Sequence, residues 1–433
     1  MAAAAKLPNS NSNSISERRA DAQAGGEGRL PDLPRGIYWD HGATPPRCYG
    51  IAFLKSDSSA GAGEIHAALS ALATVWNGLR EGDVPTLAGA RVPASSFEWL
   101  LGFGRKAFEI DGAQHPVPKA LRPPNTFNSV DPMGGGVAVD GSGLRFAPGI
   151  VQNLATEEFC VQFTADTPLA VARALIETSL CLEATRDAAT GKAALLMSAS
   201  FTGFNREDHR SWIDFHDGVS NLRSGHERRS VIETKPQGLA KADKWLISGT
   251  FMAFIRLRVD IRAWRQFGVN EQEALVGRKK ISGCPVIAID AAGMAAAVAG
   301  CPALGTVEVG PDAGNLPFLE PPDAVDDLTR RSHVQRANHH IVKQRIYRQG
   351  YEFFESPAPG RPFEAGLNFV SFQENPDRLF FILKQADWLG GTNFGGTPGP
   401  ELLHVIAGAA FACPPLMQGD AYPGASTFDP LVS

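Results

Sequence analysis

The sequence predicts two α+β domains with antiparallel sheets, and three observations carry that prediction. Ile255, Leu257, Val259 and Ile261 alternate with Arg256, Arg258, Asp260 and Arg262, the period-two pattern of a half-buried antiparallel strand. Other stretches place apolar residues three and four apart, the stripe of an amphipathic helix. The chain has 433 residues, of which 43% are hydrophobic and 9% aromatic, more than one ordinary domain of roughly 100–200 residues needs. The division is expected near residue 210, with a disordered leader over residues 1–34, an N-terminal domain over 35–210 and a C-terminal domain over 211–433.

The leader is rich in Ala, Ser, Asn and Gly and lacks apolar periodicity, so it has too little to bury. Order is expected from about Gly36. A strand follows at Tyr49–Leu54, then a helix carrying Ile65, Leu69, Leu72, Trp76 and Leu79. Phe159, Val161 and Phe163 alternate with Cys160 and Gln162 as a second strand. Asp166-Thr167-Pro168 then opens a helix through Leu169, Ala172, Leu175, Ile176 and Leu180, because a capping side chain followed by Pro in the first turn is a helix start. Leu195–Phe201 is the next strand. The Gly- and Pro-rich stretch from Pro116 to Gly149 suits a surface excursion. In the second half a helical stretch begins near Ala263. Gly366–Gln373 and Leu379–Leu383 are strand candidates joined by the turn Glu374-Asn375-Pro376-Asp377.

Composition narrows the function classes. Lys and Arg number 41 against 46 Asp and Glu, a formal net charge of -5 without long blocks of one sign, so neither nucleic acid nor a membrane surface is an expected partner. The six cysteines are scattered without a C-x-x-C pair, and they are expected as reduced core thiols. No apolar run of signal-peptide character follows Arg18-Arg19, and none approaches the ~18 residues that span a bilayer. A cytoplasmic location is the expectation. There is no G-x-G-x-x-G, P-loop or G-x-S-x-G, so nucleotide-binding and serine-hydrolase readings have no support.

Three segments carry candidate chemistry: Asp214-Phe215-His216-Asp217-Gly218-Val219-Ser220-Asn221, Ser332-His333-Val334-Gln335-Arg336-Ala337-Asn338, and Arg345-Ile346-Tyr347-Arg348-Gln349-Gly350-Tyr351. Singly, each has an ordinary structural reading. Asp-Gly is a common turn pair, a lone histidine is usually a hydrogen-bonded structural residue, and the third segment reads as a basic strand end.

Together and in this order the segments resemble the dye-decolorizing haem peroxidase family, its larger bacterial and fungal-like members in particular. The family's G-x-x-D-G motif is matched by Asp214 through Gly218, with Asp214 in place of the first glycine. The Ser-His-x-x-Arg-Ala-Asn run matches the axial-ligand motif, and Tyr347-Arg348-Gln349-Gly350-Tyr351 the distal arginine motif. Ser248-Gly249-Thr250-Phe251, Val276-Gly277-Arg278-Lys279-Lys280-Ile281-Ser282-Gly283 and Gly366-Leu367-Asn368-Phe369-Val370 are similar as well, so the resemblance spans about residues 36–390.

The resemblance implies two ferredoxin-like domains with peripheral helices, of the dimeric α/β-barrel-like kind, and one haem b per chain. It implies His333 as the proximal iron ligand, with Glu374 or Asn375 as acceptor for its other ring nitrogen. Asp217 would be the acid–base group for hydrogen peroxide and Arg348 the fixed distal charge, leading through a ferryl intermediate to oxidation of an organic reductant such as a dye or phenol. Gly218, Val219, Ser220, Asn221, Arg278 and Arg336 match haem-packing or propionate positions, and Leu367 and Phe369 the distal pocket. Bulky donors would yield electrons through Tyr347, Tyr351, Trp264 or Trp388 at the surface, and the chain could assemble as a homo-oligomer. The rival readings are a haem-binding or storage protein, or a porphyrin-processing enzyme, on the same scaffold. The porphyrin-processing enzyme would not need both Asp217 and Arg348, and the storage protein would keep the pocket but turn over too slowly, so rapid ferryl formation on adding peroxide would count against it.

Overall fold

A computed structural model describes residues 34–37, 45–87, 89–122, 154–187, 189–218, 221–222, 225–289, 295–297, 332–337, 345–356, 362–383 and 402–429. Eight strands close into one antiparallel barrel. The N-terminal half supplies β1 (Cys48–Ser56), β2 (Glu98–Phe103), β3 (Phe159–Ala165) and β4 (Leu195–Phe204), in the order β4-β1-β3-β2. A two-stranded ribbon, β6 (Val286–Ile289) and β7 (Ala295–Ala297), stands apart. The C-terminal half supplies β5 (Thr250–Val259), β8 (Tyr347–Glu355), β9 (Glu364–Gln373) and β10 (Leu403–Cys413), in the order β10-β5-β9-β8. Pairing of Ala412 with Phe103 and of Phe204 with Glu352 joins the halves, so each of the eight barrel strands is paired on both sides.

Both faces of the barrel are covered. Inside lie Tyr49, Phe53, Phe254, Tyr351 and Phe411. Outside, the N-terminal strands are roofed by α1 (Ala62–Arg80) and α2 (Pro168–Ala184). Ile65, Leu69, Leu72, Trp76 and Leu79 of α1 are all buried, as their spacing predicts. Burying each large apolar side chain stabilises by roughly 1.5–3 kcal/mol, and the Trp76 indole N–H is satisfied by Thr178 Oγ1 of α2 at 2.9 Å. The Thr167 side chain caps α2 by accepting from the Ala170 N–H at 3.3 Å.

Several expectations are corrected. In α2 the buried face is Val171, Ala174, Thr178 and Leu182, whereas Leu169, Ile176 and Leu180 are exposed. Gly50 of β1 makes room for Val171, since a Cβ there would lie 2.6 Å from Val171 Cγ1, and that packing outranks the apolar stripe. Arg256 is not on a solvent face: the barrel covers both sides of β5, and Arg256 is buried against the Phe201 and Phe353 rings while donating to Asn368 Oδ1 at 2.7 Å and pairing with Glu355.

Leu379–Leu383 is helical, within α7 (Asp377–Leu383). Asn375 Oδ1 accepts from the Asp377 N–H at 3.0 Å, so the supposed turn is a helix start, a distinction that a five-residue apolar run does not settle. Four cysteines, Cys48, Cys160, Cys181 and Cys413, are free thiols as expected, but Cys284 is disulfide-bonded. Its scattered spacing in the sequence carries no sign of that. The leader 1–33 and most of the Gly- and Pro-rich excursion lie outside the described residues, in which no helix is long and apolar enough to cross a membrane.

Candidate active site

Outside the C-terminal strands the cover is of another kind: α4 (Ile261–Trp264), α5 (Val269–Val276), α6 (His333–Ala337), α7 and a turn over residues 209–217. α3 (Gly225–Ile232) lies beyond that turn, against β8 and β9. Phe215, Ile255, Trp264, Val276, Phe369 and Leu379 form the apolar cluster of this layer, with Leu367, Val334 and Ile346 packed against it. The three candidate segments meet here.

The turn that presents Asp217 is held by backbone hydrogen bonds from Ser211 N–H to the Phe215 carbonyl (2.9 Å) and from Asp217 N–H to the His209 carbonyl (3.0 Å). Asp214 stands where the family motif has glycine, and its φ of +65° is the left-handed conformation that glycine adopts without strain. Aspartate tolerates that region better than most side chains, so the turn survives the substitution. Arg210 Nη1 donates to the Asp214 and Lys280 carbonyls at 2.6 and 2.7 Å, tying the turn to the segment that carries Arg278.

Asp217 Oδ1 accepts from the Gly218 N–H at 2.7 Å and from Arg348 Nη1 of β8. Its Oδ2 lies over Gly350, where a Cβ would come within 2.8 Å of it. Burial pushes the Asp217 pKa up, but the charge and hydrogen bond of Arg348 and the Gly218 N–H outweigh it, and the net shift is downward. Asp217 is therefore an ionised base at neutral pH. Asn221 holds Arg348 from behind by hydrogen bonds to both its backbone groups.

On the other side, α5 ends at Gly277, whose φ of +85° closes the helix. A Cβ there would lie 2.4 Å from Ser332 Oγ, so only glycine lets the residue before His333 sit so close. Arg278 follows, buried, with Nη1 donating to the Gly283 carbonyl at 2.8 Å. Burial, and then Arg348, lower its pKa to about 10.

His333 opens α6. Burial, then Arg348, push its pKa down against the opposing pull of Asp217, to about 3, so the imidazole is neutral. Asp217 and His333 are each ringed by protein atoms and feel each other's field, yet both keep part of their surface open.

The structure thus brings together Asp217, Gly218, Asn221, Arg278, His333, Arg348, Leu367 and Phe369, with Arg336 one turn beyond His333 on α6. Val219 and Ser220 lie outside the described residues, as does Trp388. Glu374 pairs with Arg378 at 2.6 Å, and Asn375 caps α7. Tyr347, Tyr351 and Trp264 are buried, which corrects their expected place at the surface: two of them pack inside the barrel and the third under the turn, where aromatic area is best buried. Sequence reasoning missed Gly350 as the seat of Asp217 and Asn221 as a backbone clamp. The strand alternation Arg348, Gly350, Glu352 was the available signal.

A neutral imidazole, an ionised carboxylate and two arginines beside apolar walls form a donor set that fits a haem: nitrogen for iron, guanidinium for carboxylate side groups, and Leu367, Phe369 and Val334 for the ring. Gly218 adds room, since a Cβ there would meet nothing within 4 Å. Among the described residues no group of three or more His, Cys, Asp and Glu could hold a metal ion.

Residues 208–418 match the family described as Dyp-type peroxidase, C-terminal. Among solved structures, the chain resembles a DyP-type peroxidase from Cellulomonas bogoriensis at 17% identity, covering 94% of this chain and 100% of that one, with a TM-score of 0.61. Ferric DtpA from Streptomyces lividans is 19% identical over 93% of this chain and 98% of its own, with a TM-score of 0.64. The encapsulated DyP-type peroxidase from Mycobacterium smegmatis is 15% identical over 89% and 96%, at 0.57. At these identities the likeness to solved structures is one of fold.

Proposed function

This chain belongs to the Dyp-type peroxidase family, and from that premise we propose that it reduces hydrogen peroxide with Asp217 as proton carrier, Arg348 as fixed distal charge and His333 as proximal ligand to one haem b. The observation that carries the reading is the Asp217–Arg348 pair, within electrostatic reach of a neutral imidazole at His333. Proteins of this family are haem proteins. When bound, the haem supplies the redox centre at which peroxide accepts electrons from an organic one-electron donor.

The protein's own residues divide the remaining work. Because Oδ1 of Asp217 is engaged by Arg348 and the Gly218 N–H, Oδ2 is the oxygen that takes a proton from peroxide and returns it to the departing oxygen. Arg348 stabilises the negative charge that develops as the O–O bond breaks. Held by Asn221, it needs no reorganisation at that moment. His333 offers a nitrogen lone pair because its surroundings keep it unprotonated, and Arg278 and Arg336 would meet the carboxylates of a bound haem.

The repeated strand order of the two halves supports reading residues 35–210 and 211–433 as two ferredoxin-like domains sharing one barrel. The buried state of Tyr347, Tyr351 and Trp264 favours small donors or donors that dock near Asp217 and Arg348. The test is direct: the purified chain is supplied with haem, then peroxide and a phenolic donor, and donor oxidation is followed. Peroxide-dependent oxidation at many turnovers per haem is expected. Haem retention without turnover would overturn the reading in favour of a binding or storage protein.

A further inference from the structure

Behind the base lies a second carboxyl group that the mechanism above does not use. Residues i and i+2 of a strand share a face and stand about 6.6 Å apart, so Arg348, Gly350 and Glu352 form a row along the outer side of β8. Asp217 Oδ2 is seated over the glycine in the middle of that row. The carboxylate therefore has a guanidinium on one side and Glu352 on the other. Glu352 is only 5% exposed. Across the strands it faces Leu367 of β9 and Phe204 of β4, neither of which has a charge to offer it.

The charged groups that reach Glu352 are Asp217, Arg206 and Asp208, and the Trp212 backbone N–H donates to it. Burial, reinforced by Asp217, raises its pKa well above the ordinary carboxyl value. Glu352 is thus a neutral acid at a pH where Asp217 is an ionised base. Two carboxyl groups driven apart in this way are a donor and an acceptor. Beyond Glu352, Arg206 and Asp208 form an ion pair at 2.6 Å with Asp208 largely in solvent. Both line an open recess of about 630 Å³ together with Arg47, Phe204 and Glu207.

We propose that Glu352 is the proton relay of this site, passing its proton to Oδ2 of Asp217 and regaining it from solvent at the Arg206–Asp208 recess. The inference rests on the peroxidase reading and assigns where its protons come from. Reducing one hydrogen peroxide to two waters consumes two electrons and two protons. The electrons come from the organic donor, which sheds its own protons wherever it is oxidised. In each transfer the O–H bond of Glu352 breaks and an O–H bond at Asp217 Oδ2 forms, directly or through one water. Glu352 is left as a carboxylate until solvent reprotonates it.

The test uses the full-length, haem-loaded protein with Glu352→Gln and Glu352→Asp. Glutamine is neutral, as protonated glutamate is, so it preserves the field at Asp217 but carries no exchangeable acid proton. The expected results are a roughly 10–100-fold fall in peroxide reduction at saturating donor in Glu352→Gln, with a larger solvent deuterium isotope effect, and substantial recovery in Glu352→Asp. The infrared spectrum at neutral pH should show a protonated-carboxyl absorption in the parent that Glu352→Gln lacks. Parent-like turnover in Glu352→Gln, or no such absorption in the parent, would overturn the relay alone. A parent with no turnover at all would overturn the peroxidase reading and the relay with it.

Discussion

Asn221 grips both backbone groups of Arg348: its Nδ2 donates to the Arg348 carbonyl at 2.6 Å, and its Oδ1 accepts from the Arg348 N–H at 3.2 Å. The clamp couples the segment bearing Asp217 to the strand bearing its cation. Asn221→Ala should lower stability by about 1–3 kcal/mol, the cost of unsatisfied part-buried polar groups, and should slow peroxide reduction by loosening Arg348. Denaturant unfolding together with steady-state kinetics checks this, and an unchanged rate would show that Arg348 needs no such support.

Removing the base and removing the charge should have different signatures. Asp217→Asn takes away the proton carrier, and a fall of about 10²–10⁴ in peroxide reduction is expected. Arg348→Leu removes stabilisation of the departing oxygen, costing about 10²–10³, and also releases Asp217 from the interaction that holds its pKa down. Burial then dominates and raises that pKa, so the acid limb of the pH–rate profile should move to higher pH in Arg348→Leu. A profile that only drops in height, with no movement along the pH axis, would contradict the assigned pairing.

Gly350 provides a more selective probe. A Cβ at this position would fall 2.8 Å from Asp217 Oδ2 and 3.1 Å from Leu367 Cδ1, while alanine is otherwise at least as acceptable as glycine in a strand. Gly350→Ala should therefore displace the carboxylate without unfolding the barrel. Peroxide reduction at least tenfold slower, with thermal stability kept within a few degrees, is the expected result. Equal rates in the two proteins would mean that Oδ2 does not rest where its seat implies.

Much of this arrangement was legible in the sequence because it is written in local pattern. The α1 stripe, the Thr167-Pro168 start of α2 and the alternation of β5 each depend on residues a few positions apart, and all were found. Asp217, His333 and Arg348 were singled out differently, by three segments that point to a family only when taken together and in order. What was hidden depends on distant partners. Arg256 looks solvent-facing until the barrel closes over β5, and the exposed face of α2 is set by what the sheet can accept. The seat of Asp217 over Gly350 joins residues 133 positions apart in the chain, and no local spacing encodes it. Glu352 was within reach of the strand alternation, but its role depends on burial, which a barrel strand imposes on both faces.

At the head of the motif, Asp214→Gly exchanges one cost for another. Glycine relieves the strain of a left-handed φ, about 1 kcal/mol. It also gives up ion pairs with Arg206 at 3.4 Å and Lys280 at 3.9 Å, which at a half-exposed carboxylate amount to about 0–1 kcal/mol. The two nearly cancel, so stability should change by less than about 1 kcal/mol and peroxide reduction should stay within about twofold of the parent. Loss of activity in Asp214→Gly would show that the carboxylate does more than occupy a glycine position.

The buried acid also makes a prediction about stability that is independent of turnover. Glu352 has a folded-state pKa above its unfolded value, so between those two values the folded protein holds a proton that the unfolded chain has released. Stability from this group is fully present below the unfolded pKa and is lost as pH rises towards the folded one, at no more than about 1.4 kcal/mol per pH unit. Glu352→Gln has no proton to lose and escapes that decline. The variant's stability relative to the parent should therefore increase as pH rises above the ordinary carboxyl range, and should be flat below it. Denaturant midpoints measured across the pH range decide the matter: a difference between the two proteins that does not change with pH would mean that Glu352 is ionised in the folded state, and the acid behind Asp217 would be no acid at all.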